Sequence, residues 1–482
     1  MKNSNKTAND LVISCAFPPQ SDTSGLVMSK RIISENLFVD VIQNDGGNNY
    51  EFNEYLDNYI DNRYILDIKG KENSIDFIFE FVEKGLEALN ESGKHYDNVI
   101  SRAQFMCNHF LGFEYKIINP DINWKAEFSD PIELSIYSGK QKTSKEFIID
   151  NKDYIDKINS QIIQFNKKNN SNLKLLENPN HMAHLIEYIT FIFADTIIFT
   201  NENQREVMLD GFSEELKEIV LNKSEIKPHP TLESKFYNIK NVEIDMDENY
   251  INLAYFGSYY YVRHFESLFY AFESLNHKYK DKLRFHFFTD YDDFLNIVIN
   301  DLTIKDSIVI HKPLGFFDFL NATQKVDILI INDTVTENTF KINPFLPSKY
   351  SDYIGSTSDI WTIYEDGSPV SKLDAKYKSS MNDYKTSCDV LINILKEYGY
   401  DDPDYSFSDN FYEKRINQLN FISGREYDKK EKYFKKVKEL KKQNRELKKE
   451  ISHLREENKR ITSSTKGENY KNPLRKLNSI FK

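Results

Sequence analysis

Short apolar, β-rich runs alternate with helical stretches along this chain, and the pattern restarts near residue 250. LVISCAF (11–17) reads as a buried first strand. FPPQSDTSG follows as a polar loop ending in Gly25, and the spacing then predicts a helix over about 26–35. LFVDVIQND (37–45), YDNVISRAQ (96–104), NWKAEFSDP (123–131) and ADTIIFTN (194–201) read as further strands, with helical periodicity at 74–91 and 181–194. The second series opens with INLAYFGS (251–258) and a predicted amphipathic helix over 262–279. LRFHFFTD (283–290), DSIVIHKP (306–313) and VDILIIND (326–333) are its next strands, and 355–370 holds another with a turn. Strands alternating with helices predict parallel, doubly wound α/β sheets. The polar, acidic NIKNVEIDMDEN (238–249) reads as the linker between two such domains, expected over 1–240 and 246–424, with residues about 380–423 as closing helices.

A chain of 482 residues is too long for one core. No apolar run approaches the roughly 18 residues of a membrane span. The N-terminus carries no basic-then-apolar signal for secretion. Cys15, Cys107 and Cys388 are too far apart for a metal or redox motif and suit a reducing cytoplasm. The net charge of −12 is uneven. Residues 425–482 hold 20 basic against 9 acidic side chains, or +11, which leaves −23 on the first 424. An acidic body argues against nucleic acid as its partner and makes the tail the contact for an anionic surface.

Val437, Leu440, Asn444, Leu447, Ile451, Leu454, Asn458 and Ile461 step by three and four. Leu or Ile fills every d position, and Asn recurs at a, the pattern of a two-stranded parallel coiled coil with fixed register. The expectation is a coiled coil over 425–462 and a homodimer through residues 437–461; a single solvated charged helix is the other reading. The basic amphipathic tail, 463–482, ends in NPLRKLNSIFK. It suits peripheral contact with a membrane surface, and docking on a partner protein is equally open.

The richest stretch for chemistry is NPFLPSKYSDYIGS (343–356), which follows the strand VDILIINDT. A strand, a loop, Lys349 and a helix start carrying Asp352 and Tyr353 are what a sheet edge needs to hold a phosphate-bearing ligand. Gly257 and Ser258 close the first strand of the second domain, and Arg263 opens its helix as a bidentate phosphate partner. Lys349, beside Ser348, stands in the equivalent place of a later strand–helix unit. Two cations at one cleft neutralise a diphosphate, and Asp352 suits ribose hydroxyls. The competing readings are a surface salt bridge to Glu266 for Arg263, and a solvated helix start with a capping acid for Lys349 and Asp352. GxGxxG, P-loop, HExxH, paired CxxC and GxSxG motifs are missing, so nicotinamide, zinc and serine-esterase chemistry lack support.

FGSYYYVRHFESLFYAF, VDILIINDT and NPFLPSKYSDYIGSTSDIWTIYEDGSP together resemble the donor domain of GT-B glycosyltransferases of the family 4 type. AEFSDP, ADTIIFTNENQREVML and HPTLESKFYN (229–238) resemble pieces of the matching first domain. The resemblance covers roughly residues 10–375. It implies two Rossmann-like domains with an interdomain cleft, a nucleotide-sugar held mainly by the second domain, an acceptor held mainly by the first, retention of anomeric configuration, and no required metal or cofactor. By position it places Gly25 in the loop facing the donor diphosphate, and Arg263 and Lys349 as the pair that stabilises the leaving group. Asp352 stands where the family has the second of two glutamates eight residues apart, while the first position holds Pro344. Either backbone amides around Phe345 and Leu346 take over the first glutamate's contact or the contact is lost. Asp130 is the expected first-domain polar residue nearest the sugar, with a helix N-cap before Pro131 as its bland alternative. His109 is a weaker candidate, better read as a structural histidine.

The functional expectation is a cytoplasmic retaining glycosyltransferase. It would move a sugar, from UDP by preference, to a bacterial surface glycan, a lipid-linked acceptor or a glycoprotein, with peripheral contact at the inner face of the plasma membrane. The alternative is a non-catalytic GT-B-like scaffold that dimerises through its coiled coil.

Overall fold

A computed structural model describes residues 7–406 apart from 19, 21, 46–52, 135, 137–146, 260–262, 264, 290–292, 301, 338 and 382, together with 414 and 417. The predicted coiled coil and basic tail lie outside the described residues.

The first series runs β1 (Asp10–Ile13), α1 (Thr23–Ser34), β2 (Val39–Asn44), α2 (Asn53–Leu56), β3 (Ile60–Leu66), α3 (Ile75–Ser92), β4 (Asn98–Ala103), α4 (Met106–Ile118) and β5 (Asn123–Phe128). It continues through β6 (Ile148–Ile149), α5 (Lys152–Asn169), β7 (Asn180–His181), α6 (Met182–Phe193), β8 (Thr196–Phe199), α7 (Glu202–Leu209), α8 (Glu214–Lys223) and β9 (Ser224–Ile226). The second comprises β10 (Ile251–Phe256), α9 (Glu266–Ser274), α10 (His277–Lys280), β11 (Leu283–Phe288), α11 (Asp293–Asn300), β12 (Ile308–His311) and α12 (Phe316–Ala322). It closes with β13 (Ile328–Asn332), α13 (Lys349–Tyr353), β14 (Asp359–Tyr364), β15 (Tyr377–Ser380) and α14 (Tyr384–Glu397).

The strands form two larger sheets, ordered β3-β2-β1-β4-β5-β8-β9 and β12-β11-β10-β13-β14-β15, while β6 and β7 make a small antiparallel pair. Pairings through β1 and β10 are parallel on both sides, so each sheet reverses its order at its first strand. The chain is therefore two Rossmann-like α/β domains, as the alternation predicted. Such sheets bind ligands outside the carboxyl ends of the strands at that reversal.

Two boundaries differ from expectation. Helix α1 starts at Thr23, because the Asp22 carboxylate accepts hydrogen bonds from Ser24 N and Gly25 N. Gly25 is thus inside the first helical turn and not in the loop. The helix expected over 262–279 divides into α9 and α10, since Leu275 forms a bridge with Tyr405 and Asn276 N bonds Asp404 O.

The two domains meet through apolar and polar contacts. Val12, Met28 and Ile32 of the first pack in one core with Phe317 and Leu320 of α12, and Phe236 and Tyr237 of the connecting segment complete it. Across the same interface Asn203 Nδ2 donates to the Asn343 and Gly367 carbonyls, and Asn201 Nδ2 to the Pro344 carbonyl.

Candidate functional site

Strand β10 ends at the reversal of the second sheet, and Gly257 follows it with φ +142°. That backbone conformation favours glycine. A Cβ there would stand 2.9 Å from Lys349 Nζ and 3.3 Å from Tyr255 Oη. The Lys349 ammonium therefore lies directly over the Gly257 backbone. Tyr255 Oη accepts from Arg263 Nη1 at 3.0 Å and donates to the Ser258 carbonyl at 3.2 Å. Gly257, Ser258, Arg263 and Lys349 are thus brought to one place by the end of β10 and the start of α13.

Lys349 is half-buried, and its ammonium has no hydrogen-bond or ion-pair partner among the described residues. Withdrawal from water pushes it down to about 8, and the nearby Arg263 charge acts in the same direction. Lys30 adds to this, while Asp352 opposes it. Ser348 is the cap residue of α13, makes no side-chain cap bond among the described residues, and accepts at its carbonyl from Ser351 Oγ at 2.7 Å.

Asp352 was expected to face a ribose. Its side chain is 8% exposed, and Oδ1 sits 2.6 Å from Lys30 Nζ of α1. Lys30 also donates to Ser351 Oγ at 2.8 Å. Tyr353, a candidate donor contact, is a core residue with no exposed surface, and its Oη accepts from Phe256 N. Its role is to pin α13 to the end of β10. Gly25 also has a packing reason: a Cβ would fall 1.9 Å from the Ala16 carbonyl oxygen. The first amides of α1 are occupied by Asp22, which removes the simplest way for that turn to face a diphosphate.

Pro344, at the position of the missing acid, gives its carbonyl to Asn201. Phe345 N, an expected substitute, already bonds Asn343 Oδ1 at 2.9 Å. Asn343 organises this loop further, donating to the Thr334 carbonyl and Glu365 Oε2. Asp130 is half-buried and contributes its charge to Arg102 at the end of β4. His109 is buried against Trp124 and Phe128 and bonds Ser101 Oγ through Nδ1. Burial pushes it down to about 3, so it is a neutral structural histidine.

No family model matches the sequence, and no curated protein does. Solved structures do share its architecture. Sucrose-phosphate synthase from Thermosynechococcus elongatus superposes with a TM-score of 0.50 at 10% identity, covering 89% of this chain and 99% of that one. Anabaena HepE in complex with UDP and glucose gives 0.51 at 8% identity, covering 87% and 95%. The E. coli trehalose-6-phosphate structure bound with UDP-2-fluoro glucose gives 0.50 at 9% identity, covering 86% and 95%. The chain has the GT-B fold. At these identities the likeness is one of fold.

Within this GT-B fold the first domain supplies groups that the sequence did not reveal. Glu127 of β5 is held by Arg31 of α1 at 2.7 Å and by Arg102 of β4, all three buried. Burial would raise the Glu127 carboxyl, but the two guanidinium charges and the Arg31 hydrogen bonds outweigh it and hold it at about 2. His229 is buried beside this trio; burial, with Arg102 and Lys30, holds it well below its usual range, and its Nδ1 has no hydrogen-bond partner among the described residues. The available signal was the pair Lys30–Arg31 inside the apolar run LVMSKRII, where two cations have no solvated face. A cavity of about 450 Å³ also opens between α6, α7 and residues 339–342. Carboxylates of Glu133, Glu187, Glu206 and Asp210 and the rings of His184, Phe212 and Phe340 line it.

Proposed function

We propose that this GT-B chain is a retaining glycosyltransferase, family 4-like, that takes a UDP-sugar and passes its sugar to a bacterial surface glycan or glycoprotein. The observation that carries the reading is the Lys349 ammonium. It is withdrawn from water, unpaired among the described residues, and set over Gly257 beside Arg263. Such a cation is stabilised when an anion arrives, and a diphosphate leaving group gains negative charge as the glycosidic bond breaks. Fixed cations at that place lower the barrier without reorganising. No metal is required in this scheme. Ser258 offers a backbone amide, the Gly257 amide being bonded to the Phe288 carbonyl, while Ser348 offers a hydroxyl and Asp130 the first-domain polar group toward the sugar. Lys30 occupies Asp352 Oδ1, which leaves Oδ2 for a ribose hydroxyl. Two proteins of the same fold hold UDP or a UDP-sugar, which supports this donor class. The carboxylates and rings around the 450 Å³ cavity suit a hydroxyl-rich saccharide acceptor.

Release of UDP from UDP-sugars in the presence of an acceptor panel tests the reading, with the anomeric configuration of the product read by NMR. Lys349→Ala and Arg263→Ala are each expected to lower turnover by about 100-fold or more, with the fold intact by circular dichroism. Undiminished turnover in both variants sinks the site assignment. Pro344 at the acid position, with its carbonyl committed to Asn201, favours the scaffold reading. A scaffold shows no thermal stabilisation by UDP-, GDP- or CDP-sugars, whereas a ligand at 100 times its Kd adds about 2.7 kcal/mol. We further read the chain as cytoplasmic, dimeric through residues 437–461, and in contact with the inner membrane face through its basic tail. No described helix is long and apolar enough to cross a membrane.

A further inference from the structure

Lys30 is the least expected cation in the molecule. It belongs to α1 of the first domain, is 1% exposed, and spends its hydrogen bonds on α13 of the second: Asp352 Oδ1 at 2.6 Å and Ser351 Oγ at 2.8 Å. The same short helix begins with Lys349. The Asp352 carboxylate thus has two ammonium groups within its field, and it is bonded to the one from the other domain.

We propose that Lys30 is a positioning residue for the diphosphate site: by neutralising Asp352 from across the domain interface, it keeps Lys349 free for a ligand phosphate. The inference rests on the donor reading above. Its physical content is a competition. Asp352 is buried, and a buried carboxylate left without a partner is costly. Without Lys30, Lys349, on the same turn of the same helix, is a cation already in electrostatic reach. Asp352 would then capture it, and the site would lose its unpaired ammonium while every atom of the nucleotide pocket remained. Lys30 also fixes Ser351, and the Tyr237 hydroxyl donates to the Asp352 carbonyl at 2.6 Å. The backbone of α13 therefore keeps a second anchor when Lys30 is removed.

The test compares the affinities of UDP and of uridine, measured by calorimetry on the full-length protein. Their ratio isolates the phosphates and cancels ribose and base contacts. Lys30→Met is expected to lower the ratio about tenfold or more, with uridine affinity within about twofold of wild type. Lys30→Arg keeps the charge and is expected to retain most of the ratio. Lys30→Met combined with Asp352→Asn removes the competing carboxylate and is expected to restore the ratio. This is a rescue that a merely structural role for Lys30 does not give. If Lys30→Met does not fold, the double variant carries the test, because it leaves no stranded carboxylate. An unchanged ratio in Lys30→Met, or a double variant that folds but whose ratio stays low, overturns the inference. Wild-type protein that binds neither UDP nor uridine overturns the donor reading instead.

Discussion

Withdrawing an ammonium from water without pairing it is unfavourable for the empty protein, and that cost is recovered only when an anion binds. At Lys349 the consequence is a pH dependence. Withdrawal from water holds the ammonium down at about 8, with Arg263 and Lys30 acting in the same direction and Asp352 opposing them. Below that value Lys349 is charged and phosphate binding is at full strength. Above it a proton must be taken up on binding. UDP affinity is therefore expected to fall as pH rises from about 7.5 to about 9.5, by up to tenfold per unit. Lys349→Arg, whose guanidinium stays charged throughout, is expected to flatten the profile. Titrations at stepped pH check both, and a wild-type profile as flat as the variant's would contradict the assignment. At this scale the sequence offered candidates where a residue follows an apolar strand. Gly257, Ser258, Arg263 and Lys349 were singled out as candidates that way, and they lie together at the end of β10. Lys30, Arg102 and Glu127 were not, because their partners lie 322 and 25 positions away along the chain. The same non-locality hid the Lys30 partner of Asp352 and the core position of Tyr353.

Three elements of the first domain, α1, β4 and β5, are tied together by Arg31, Arg102 and Glu127. Glu127→Gln leaves the buried Arg102 guanidinium without its ion-pair partner and Arg31 with Glu35 alone, and is expected to cost about 3–5 kcal/mol, read by urea unfolding at neutral pH. Because the native carboxyl sits at about 2 against a usual 4.5, its contribution is present above about 4.5. It drains as pH falls from there toward about 2. The Gln variant should lose that slope, and an unaltered slope would show that Glu127 does not set acid stability. The elements that escaped the sequence reading share a physical cause. β3, β9 and β15 are edge strands, with one side open and no continuous apolar run to mark them. Helix α4 is buried along most of its length, so it lacks the polar face that makes a helix periodic in sequence. The central strands were legible because burial on both faces forces an unbroken apolar run.

For the whole molecule, the two Rossmann-like domains are joined by a shared apolar core as well as by polar bonds. The candidate site uses that junction, since Lys30 comes from one side and Asp352 from the other. The proposed dimerisation rests on a different part of the chain. Deleting residues 425–482 is expected to convert a dimer to a monomer by sedimentation while leaving UDP affinity within about twofold, since the heptad at 437–461 carries the proposed pairing. An unchanged sedimentation mass removes the zipper. The central claim is that this GT-B fold holds a nucleotide diphosphate on Lys349. Calorimetric titration of UDP into the wild-type protein and into Lys349→Met tests it most directly. The account predicts saturable one-site binding to the wild type and a loss of about tenfold or more in the variant. Equal affinity in the two proteins, or no binding to either, would contradict it.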